Sequence, residues 1–178
     1  MRFGTGIVLT SSGEILTNDH VVIDATQVMA TDVGNGQTYG AVRVVADQAM
    51  DLAVLQLDGA SGLETSTLGS SDSLVPGEGV VGVGNADGVG GAPSYAGGSV
   101  TALEQPIIEQ AEVDGPGELQ VNGLIETDAQ LIPGDSGGPL VDAEGEVVGV
   151  DTAFSADGAG SYAIPIDKAL ATIDQLVG

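Results

Sequence analysis

The apolar residues of this chain fall in runs too short for helices. They are residues 7–9, 42–45, 52–57, 80–83, 124–125 and 147–150, set apart by clusters of Gly, Asn, Asp and Ser in a chain with 29 glycines among 178 residues. Short Val/Ile/Leu runs bounded by turn residues build strands, and their repetition predicts an all-β barrel or sandwich. The length suits one domain, or two fused small barrels, with enough chain to bury a core. One segment departs from the rhythm. Its apolar positions Ile166, Leu170, Ile173, Leu176 and Val177 have helical spacing, and Asp167 is placed to act as the N-cap of a C-terminal helix. Residues 59–79 read as a polar connection around Pro76, and residues 105–120 as an inter-strand loop in the second half.

The segment with most chemistry is Pro133-Gly-Asp-Ser-Gly-Gly-Pro-Leu140. A serine hydroxyl becomes a useful nucleophile only beside a base and beside donors for the oxyanion it creates. Glycines around Ser136 permit backbone conformations that a Cβ blocks, so the N–H groups of Gly134 and Ser136 are candidates for that oxyanion site. A plain glycine-rich turn is the competing reading. The composition has one histidine, His20, so the base has a single histidine candidate. Residue order then separates the alternatives. The α/β-hydrolase elbow places its histidine after the serine, and none follows Ser136; a subtilisin order needs an aspartate before the histidine, where only the adjacent Asp19 stands. The order left is His, Asp, Ser. His20 follows the short apolar run of Gly13-Glu-Ile-Leu-Thr-Asn-Asp-His20 and is expected at a strand end. Asp51 opens the buried-looking strand Asp51-Leu-Ala-Val-Leu-Gln-Leu57 and is placed to hold an imidazole N–H, while Asp47 and Asp58 read as solvated loop acids.

With these residues in hand, the chain resembles a known family. Gly4-Thr-Gly-Ile-Val-Leu, Leu16-Thr-Asn-Asp-His-Val-Val, Asp51-Leu-Ala-Val-Leu, Gly82-Val-Gly-Asn, Thr127-Asp-Ala, the Ser136 motif and Tyr162-Ala-Ile-Pro-Ile-Asp are similar to the trypsin-like domain of HtrA/Deg proteases, and among these to secreted actinobacterial proteases of the PepA type. The resemblance implies a chymotrypsin-like double β-barrel with the cleft between the barrels. The expected division is residues 1–70 for the first barrel, 71–165 for the second and 166–178 for the C-terminal helix, all in one protease domain. It implies a catalytic triad of His20, Asp51 and Ser136, with Gly134 and Ser136 as the oxyanion hole. Related domains carry more chain before the Gly-Thr-Gly segment, so the first barrel is expected to lack its N-terminal strand. The implied function is serine endopeptidase. The alternative is a silent trypsin-like domain that binds peptides because truncation has spoiled the first barrel.

The resemblance also places Gln130 near the base of the primary substrate pocket, where trypsin carries an acid. A neutral Gln130 predicts small or medium apolar residues at the cleavage position, though it reads equally as a packing residue. Thr152 and Ala153, on the strand 151–155, are expected to run along the substrate backbone as an antiparallel partner.

Charge narrows the partners. Three basic residues face 26 acids, a formal net charge of −23. Nucleic acid and anionic membrane both need Lys and Arg, so neither is an expected partner; polypeptide substrates are. The acidity reads as a strongly hydrated surface, as adaptation to high salt, or as attraction of basic substrates. The chain has no cysteine, so disulfides play no part and thiols say nothing of compartment. No apolar run is long enough to span a bilayer, and no signal peptide is visible; an extracytoplasmic location is implied by the resemblance alone. No cofactor or metal is expected. Gly82-Val-Gly-Asn-Ala-Asp-Gly88 lacks the third glycine and the βαβ setting of a dinucleotide loop. Asp142-Ala-Glu-Gly-Glu146 lacks the spacing of a calcium loop and reads as a hairpin turn.

Overall fold

The computed structural model describes residues 2–109, 119–154 and 160–177. Among the described residues the chain is β apart from one helical turn near the start, a 3-10 turn at Ala86–Gly88 and one helix at the end. The first half is a five-stranded antiparallel sheet of β1 (Ile7–Val8), β2 (Glu14–Thr17), β3 (Val28–Thr31), β4 (Thr38–Asp47) and β5 (Leu52–Leu57), in the order β1-β2-β5-β4-β3. β5 is central and buried along nearly its whole length, which is why it reads as a continuous apolar run. β2 lies against it in the register Leu16↔Val54. Among the described residues no strand joins β1 to β3, so this sheet curls without closing. That open half-barrel is the form expected from the sequence.

The second half is a closed barrel of β6 (Gly79–Gly84), β7 (Ser94–Glu109), β8 (Leu119–Thr127), β9 (Pro139–Val141), β10 (Val147–Phe154) and β11 (Ser161–Pro165), in the order β10-β11-β8-β7-β6-β9. The acidic turn between β9 and β10 is a hairpin, closed by the Asp142 N–H on the Glu146 carbonyl at 3.0 Å. Closure removes sheet edges from this half. Its interior is packed by Leu74, Val80, Val100, Ile125, Leu140, Val148 and Ala163.

The two halves share a core. Ile7, Leu16 and Leu52 of the open sheet pack in one cluster with Val121, Leu124, Val147, Val150 and Ile164 of the barrel, and Ile166 and Ala169 of α2 (Ile166–Val177) join it. Each such fully buried aliphatic side chain contributes about 1.5–3 kcal/mol, so the junction between the halves is a load shared by the sheet, the barrel and the helix.

Three local expectations change. The described ends of the segment read as a loop over 105–120 are strand: β7 continues to Glu109 and β8 begins at Leu119, with Ile107 opposite Val121. The Gln and Glu letters there masked isoleucines that suit a strand. Residues 110–118 lie outside the described residues. His20 does not sit at a strand end. β2 stops at Thr17, and His20 lies in the helical turn α1 (Asp19–Val22). Asp167 lies inside the first turn of α2, not at its N-cap. Its carboxylate leaves the helix and accepts hydrogen bonds from the Ser70 and Ser71 hydroxyls and the Ser71 and Asp72 N–H groups at 2.6–3.3 Å. It thereby ties the connection between the halves to the helix.

Candidate active site

β2 and α1 deliver His20, and the turn before β5 delivers Asp51. The His20 Nδ1 lies 2.7 Å from Asp51 Oδ2, and the His20 backbone N–H donates to Asp51 Oδ1 at 2.9 Å. With an Nδ1–H donated to the carboxylate, Nε2 is the nitrogen left with its lone pair. His20 is a third exposed while Asp51 is buried. Asp51 has φ of +53°, a left-handed conformation that Asp tolerates better than most side chains. Its carbonyl is held there by the Asn18 side-chain amide at 3.0 Å. Thr152, from β10 of the barrel, donates its hydroxyl to the same Asp51 Oδ2 at 2.7 Å. The carboxylate is thus fixed by both halves of the molecule.

Ser136 is at the tip of the loop 133–138 before β9. Its hydroxyl donates to the Thr152 carbonyl at 3.3 Å, which puts it beside the residue that grips Asp51; in this structure it is not bonded to His20. The loop is clasped by Thr5. The Thr5 N–H donates to the Ser136 carbonyl at 2.9 Å, and the Thr5 hydroxyl donates to the Gly134 carbonyl at 2.8 Å. The Pro133 carbonyl accepts the Asp87 N–H at 2.7 Å. In a trans peptide the N–H is opposed to the C=O, so the Gly134 N–H points away from Asp87. Among the described residues neither the Gly134 nor the Ser136 N–H donates a hydrogen bond. Gly134 has φ of +101°, and a Cβ there would lie 2.2 Å from the Asn85 carbonyl oxygen, so only glycine fits. Two unengaged donors beside a serine are what an oxyanion site requires.

A trypsin-like peptidase domain model matches residues 4–150. The chain belongs to the trypsin-like peptidases. Within them it is an HtrA/Deg-type protease domain. It is 35% identical over 196 residues to serine protease PepD of Mycobacterium tuberculosis, covering 98% of this chain and 41% of that protein. It is 34% identical over 182 residues to the periplasmic pH-dependent serine endoprotease DegQ of Escherichia coli, covering 98% of this chain and 37% of that protein. Among solved structures it is similar to the HtrA-type protease AlgW with decapeptide, with a TM-score of 0.82 at 32% identity, over 98% of this chain and 51% of that one. The chain spans about two fifths of the length of the curated relatives it matches.

The other expected site residues of this HtrA-type domain fall as follows. Gln130 is exposed, with its amide on the Asp128 carbonyl at 3.2 Å. Thr152 is buried and turned toward Asp51, and the side chain of Ala153 lies outside what the structure describes. The sequence reading missed four contributors. Thr5 clasps the loop. Asp135 is buried under it and accepts the Ser94 hydroxyl at 2.9 Å and the Ile132 N–H at 3.0 Å. Asp19, next to His20, pairs with Arg43 at 2.9 Å. Burial raises the Asp19 carboxyl above its ordinary value, and Arg43 pulls against that rise. Asp151 is fully buried beside Thr152. Of these, Thr5 had a sequence signal in its place between two glycines, and Asp135 in its place beside Ser136 in the glycine-rich motif. Among the described residues no cluster of His, Cys, Asp and Glu is arranged to hold a metal, and no helix is long and apolar enough to cross a membrane.

Proposed function

We propose that this domain is a serine endopeptidase that works through His20, Asp51 and Ser136. The observation that carries the reading is the Asp51 carboxylate bound to His20 Nδ1 at 2.7 Å, joined through Thr152 to a serine loop with two unengaged N–H groups. In the proposed reaction His20 Nε2 takes the Ser136 proton as Oγ attacks the scissile carbonyl. Asp51 holds the tautomer and stabilises the imidazolium. The Gly134 and Ser136 amides receive the oxyanion, and His20 returns the proton to the leaving amine. Water repeats the sequence on the acyl-enzyme. For this the Ser136 hydroxyl must leave the Thr152 carbonyl and bond His20 instead. Thr152 and Ala153 flank the substrate backbone in this reading. The decapeptide named with AlgW supports peptides as ligands.

The test is Ser136→Ala. Peptide hydrolysis and labelling by a fluorophosphonate should both vanish while the fold persists by circular dichroism. Undiminished hydrolysis by the variant sinks the assignment. A second reading, a silent peptide-binding domain, is favoured by the open first sheet and by the Ser136 hydroxyl resting on Thr152. A folded wild-type chain that takes no label would select it.

Three narrower proposals accompany this one. The chain forms one catalytic unit divided near residues 70 and 165, which the core shared between the halves supports. Its place of action is extracytoplasmic, supported by relatives described as periplasmic. Its affinity within the family is to the PepA-type actinobacterial branch, a reading that rests on the sequence motifs alone.

A further inference from the structure

His20 sits on a single helical turn, and one turn is not stable by itself. α1 is closed by the Ile23 N–H on the Asp19 carbonyl at 2.7 Å and has no side-chain bond at its N-cap. The carbonyls at the end of a helical turn have no partner within it. Here the Arg2 guanidinium donates to the His20 carbonyl at 3.2 Å and to the Ile23 carbonyl at 3.0 Å. His20 is therefore held by Asp51 at its N–H and by Arg2 at its C=O. Arg43 holds the neighbouring Asp19 at 2.9 Å. Two of the three basic residues of the chain thus serve one turn of four residues, in a sequence with 26 acids.

Arg2 opens a segment that touches both loops of the candidate site. Phe3 packs on the bare backbone of Gly88, where a Cβ has no room. Gly4 is wedged between the His20 turn and the serine loop: a Cβ on it would lie 2.5 Å from Val21 Cγ1 and 3.1 Å from the Ser136 carbonyl oxygen. Thr5 holds the Ser136 and Gly134 carbonyls, and its hydroxyl oxygen accepts the Asn85 N–H at 2.9 Å. Residues 2 and 4 thus meet the His20 turn while residues 3 and 5 meet the barrel loops, the alternation of an extended chain. We infer that Arg2 is a positioning residue for the base: with Gly4 and Thr5 it makes segment 2–5 a strap that couples the His20 turn to the serine loop and sets the distance between base and nucleophile. This rests on the endopeptidase reading above. The Ser136 hydroxyl lies on the Thr152 carbonyl and must meet His20 for reaction. A strap fixed to both loops governs how often the two groups meet.

The experiment compares wild type with Arg2→Ala, Arg2→Lys, Thr5→Val and the double variant Arg2→Ala with Thr5→Val, each shown folded by circular dichroism. Arg2→Ala should slow fluorophosphonate labelling of Ser136 by about three- to tenfold, the loss of a charged hydrogen bond at an exposed site. It should lower kcat for peptide hydrolysis while KM stays within about twofold of wild type. Arg2→Lys, which keeps a cation there, should recover most of the rate. The double variant tests the coupling. A strap released at either end frees both loops, so it should label no more than about twofold slower than the slower single variant, whereas independent contacts multiply their effects. Multiplied losses, or an unchanged rate in Arg2→Ala, overturn the inference. Proton NMR gives a readout independent of turnover. The chain has one histidine, so the Nδ1 proton donated to Asp51 gives one low-field resonance. It should broaden through faster exchange with water in Arg2→Ala and sharpen again in Arg2→Lys; a resonance unchanged in Arg2→Ala overturns the inference. Labelling of wild type separates the two failures. A chain that takes no label, yet whose histidine resonance broadens in Arg2→Ala, refutes the catalysis and keeps the hold of Arg2 on the His20 turn.

Discussion

Thr152→Val removes one oxygen from the joint between the two halves. Val matches Thr in shape, so no cavity opens, and the change is confined to the hydroxyl that donates to Asp51 Oδ2 at 2.7 Å. Thr152 is 6% exposed and Asp51 1%, so water cannot replace the lost donor. A hydrogen bond to a charged group contributes about 1.5–3 kcal/mol, and more is lost when the acceptor stays buried without it. The expected destabilisation is therefore about 2–3 kcal/mol. For a domain of this size that is a fall of about 4–12 °C in melting temperature. The same oxygen of Asp51 holds His20 Nδ1, so the loss reaches the base. If the whole bond were felt in the transition state, acylation would slow by about 30- to 160-fold. The assay is the rate of fluorophosphonate labelling beside a urea titration. Thr152→Ser, which keeps the hydroxyl, should recover most of both. A Thr152→Val protein that labels within twofold of wild type at unchanged stability would refute the view that the barrel fixes Asp51 through Thr152.

Thr5→Val should slow labelling of Ser136 by about tenfold with the fold intact, since it deletes the donor to the Gly134 carbonyl at 2.8 Å and the acceptor of the Asn85 N–H at 2.9 Å; an unchanged rate would show that the clasp does not position the oxyanion amides. Asp167→Asn tests the tie between the helix and the inter-half connection through pH. Burial works to raise the Asp167 carboxyl, and the hydrogen bonds of Ser70, Ser71 and Asp72 overcome it, leaving its pKa below the ordinary 3.8. A lowered folded pKa contributes stability that is fully present above 3.8 and is lost as pH falls through the folded value. The wild type should therefore lose its advantage over Asp167→Asn, about 1 kcal/mol or less at this half-exposed site, on acidification. A difference that stays constant or grows on acidification would reject the assignment.

Much of the candidate site was legible because the chemistry proposed for it is written in local strings. The glycine run around Ser136, the single histidine and the acid at the mouth of β5 each announce themselves within a few residues, and the order His, Asp, Ser excludes the rival folds. The strands were legible where apolar residues run together, as in β5, and illegible where acids and amides interrupt them, as at the ends of β7 and β8. The residues that were missed have a different character. Thr5 and Gly134 are 129 positions apart, Asp51 and Thr152 are 101 apart, and Ser94 and Asp135 are 41 apart. No periodicity carries such pairings, because the first two arise only when the open sheet and the barrel are pressed together, and the third only when the barrel closes. In a chain with 26 acids, sequence alone cannot tell Asp151, sealed in the barrel wall, from an acid that merely hydrates the surface.

That dependence on the junction is the physical content of the site. His20 and Asp51 lie on turns beside β2 and β5 of a sheet that does not close on itself, and an open sheet by itself holds side chains poorly. Here the barrel and helix supply the rigidity through the shared core of Ile7, Leu16 and Leu52 with Val150, Ile164 and Ile166, and through three polar bolts: Thr152 on Asp51, Thr5 on the serine loop and Asp167 on the connection. The core sets the distance between the halves, and the bolts set the register of the catalytic groups across it. Loosening a bolt should therefore cost reactivity at Ser136 before it costs the fold, whereas truncating Leu16 or Ile164 to Ala, at about 2–5 kcal/mol each, should cost both together.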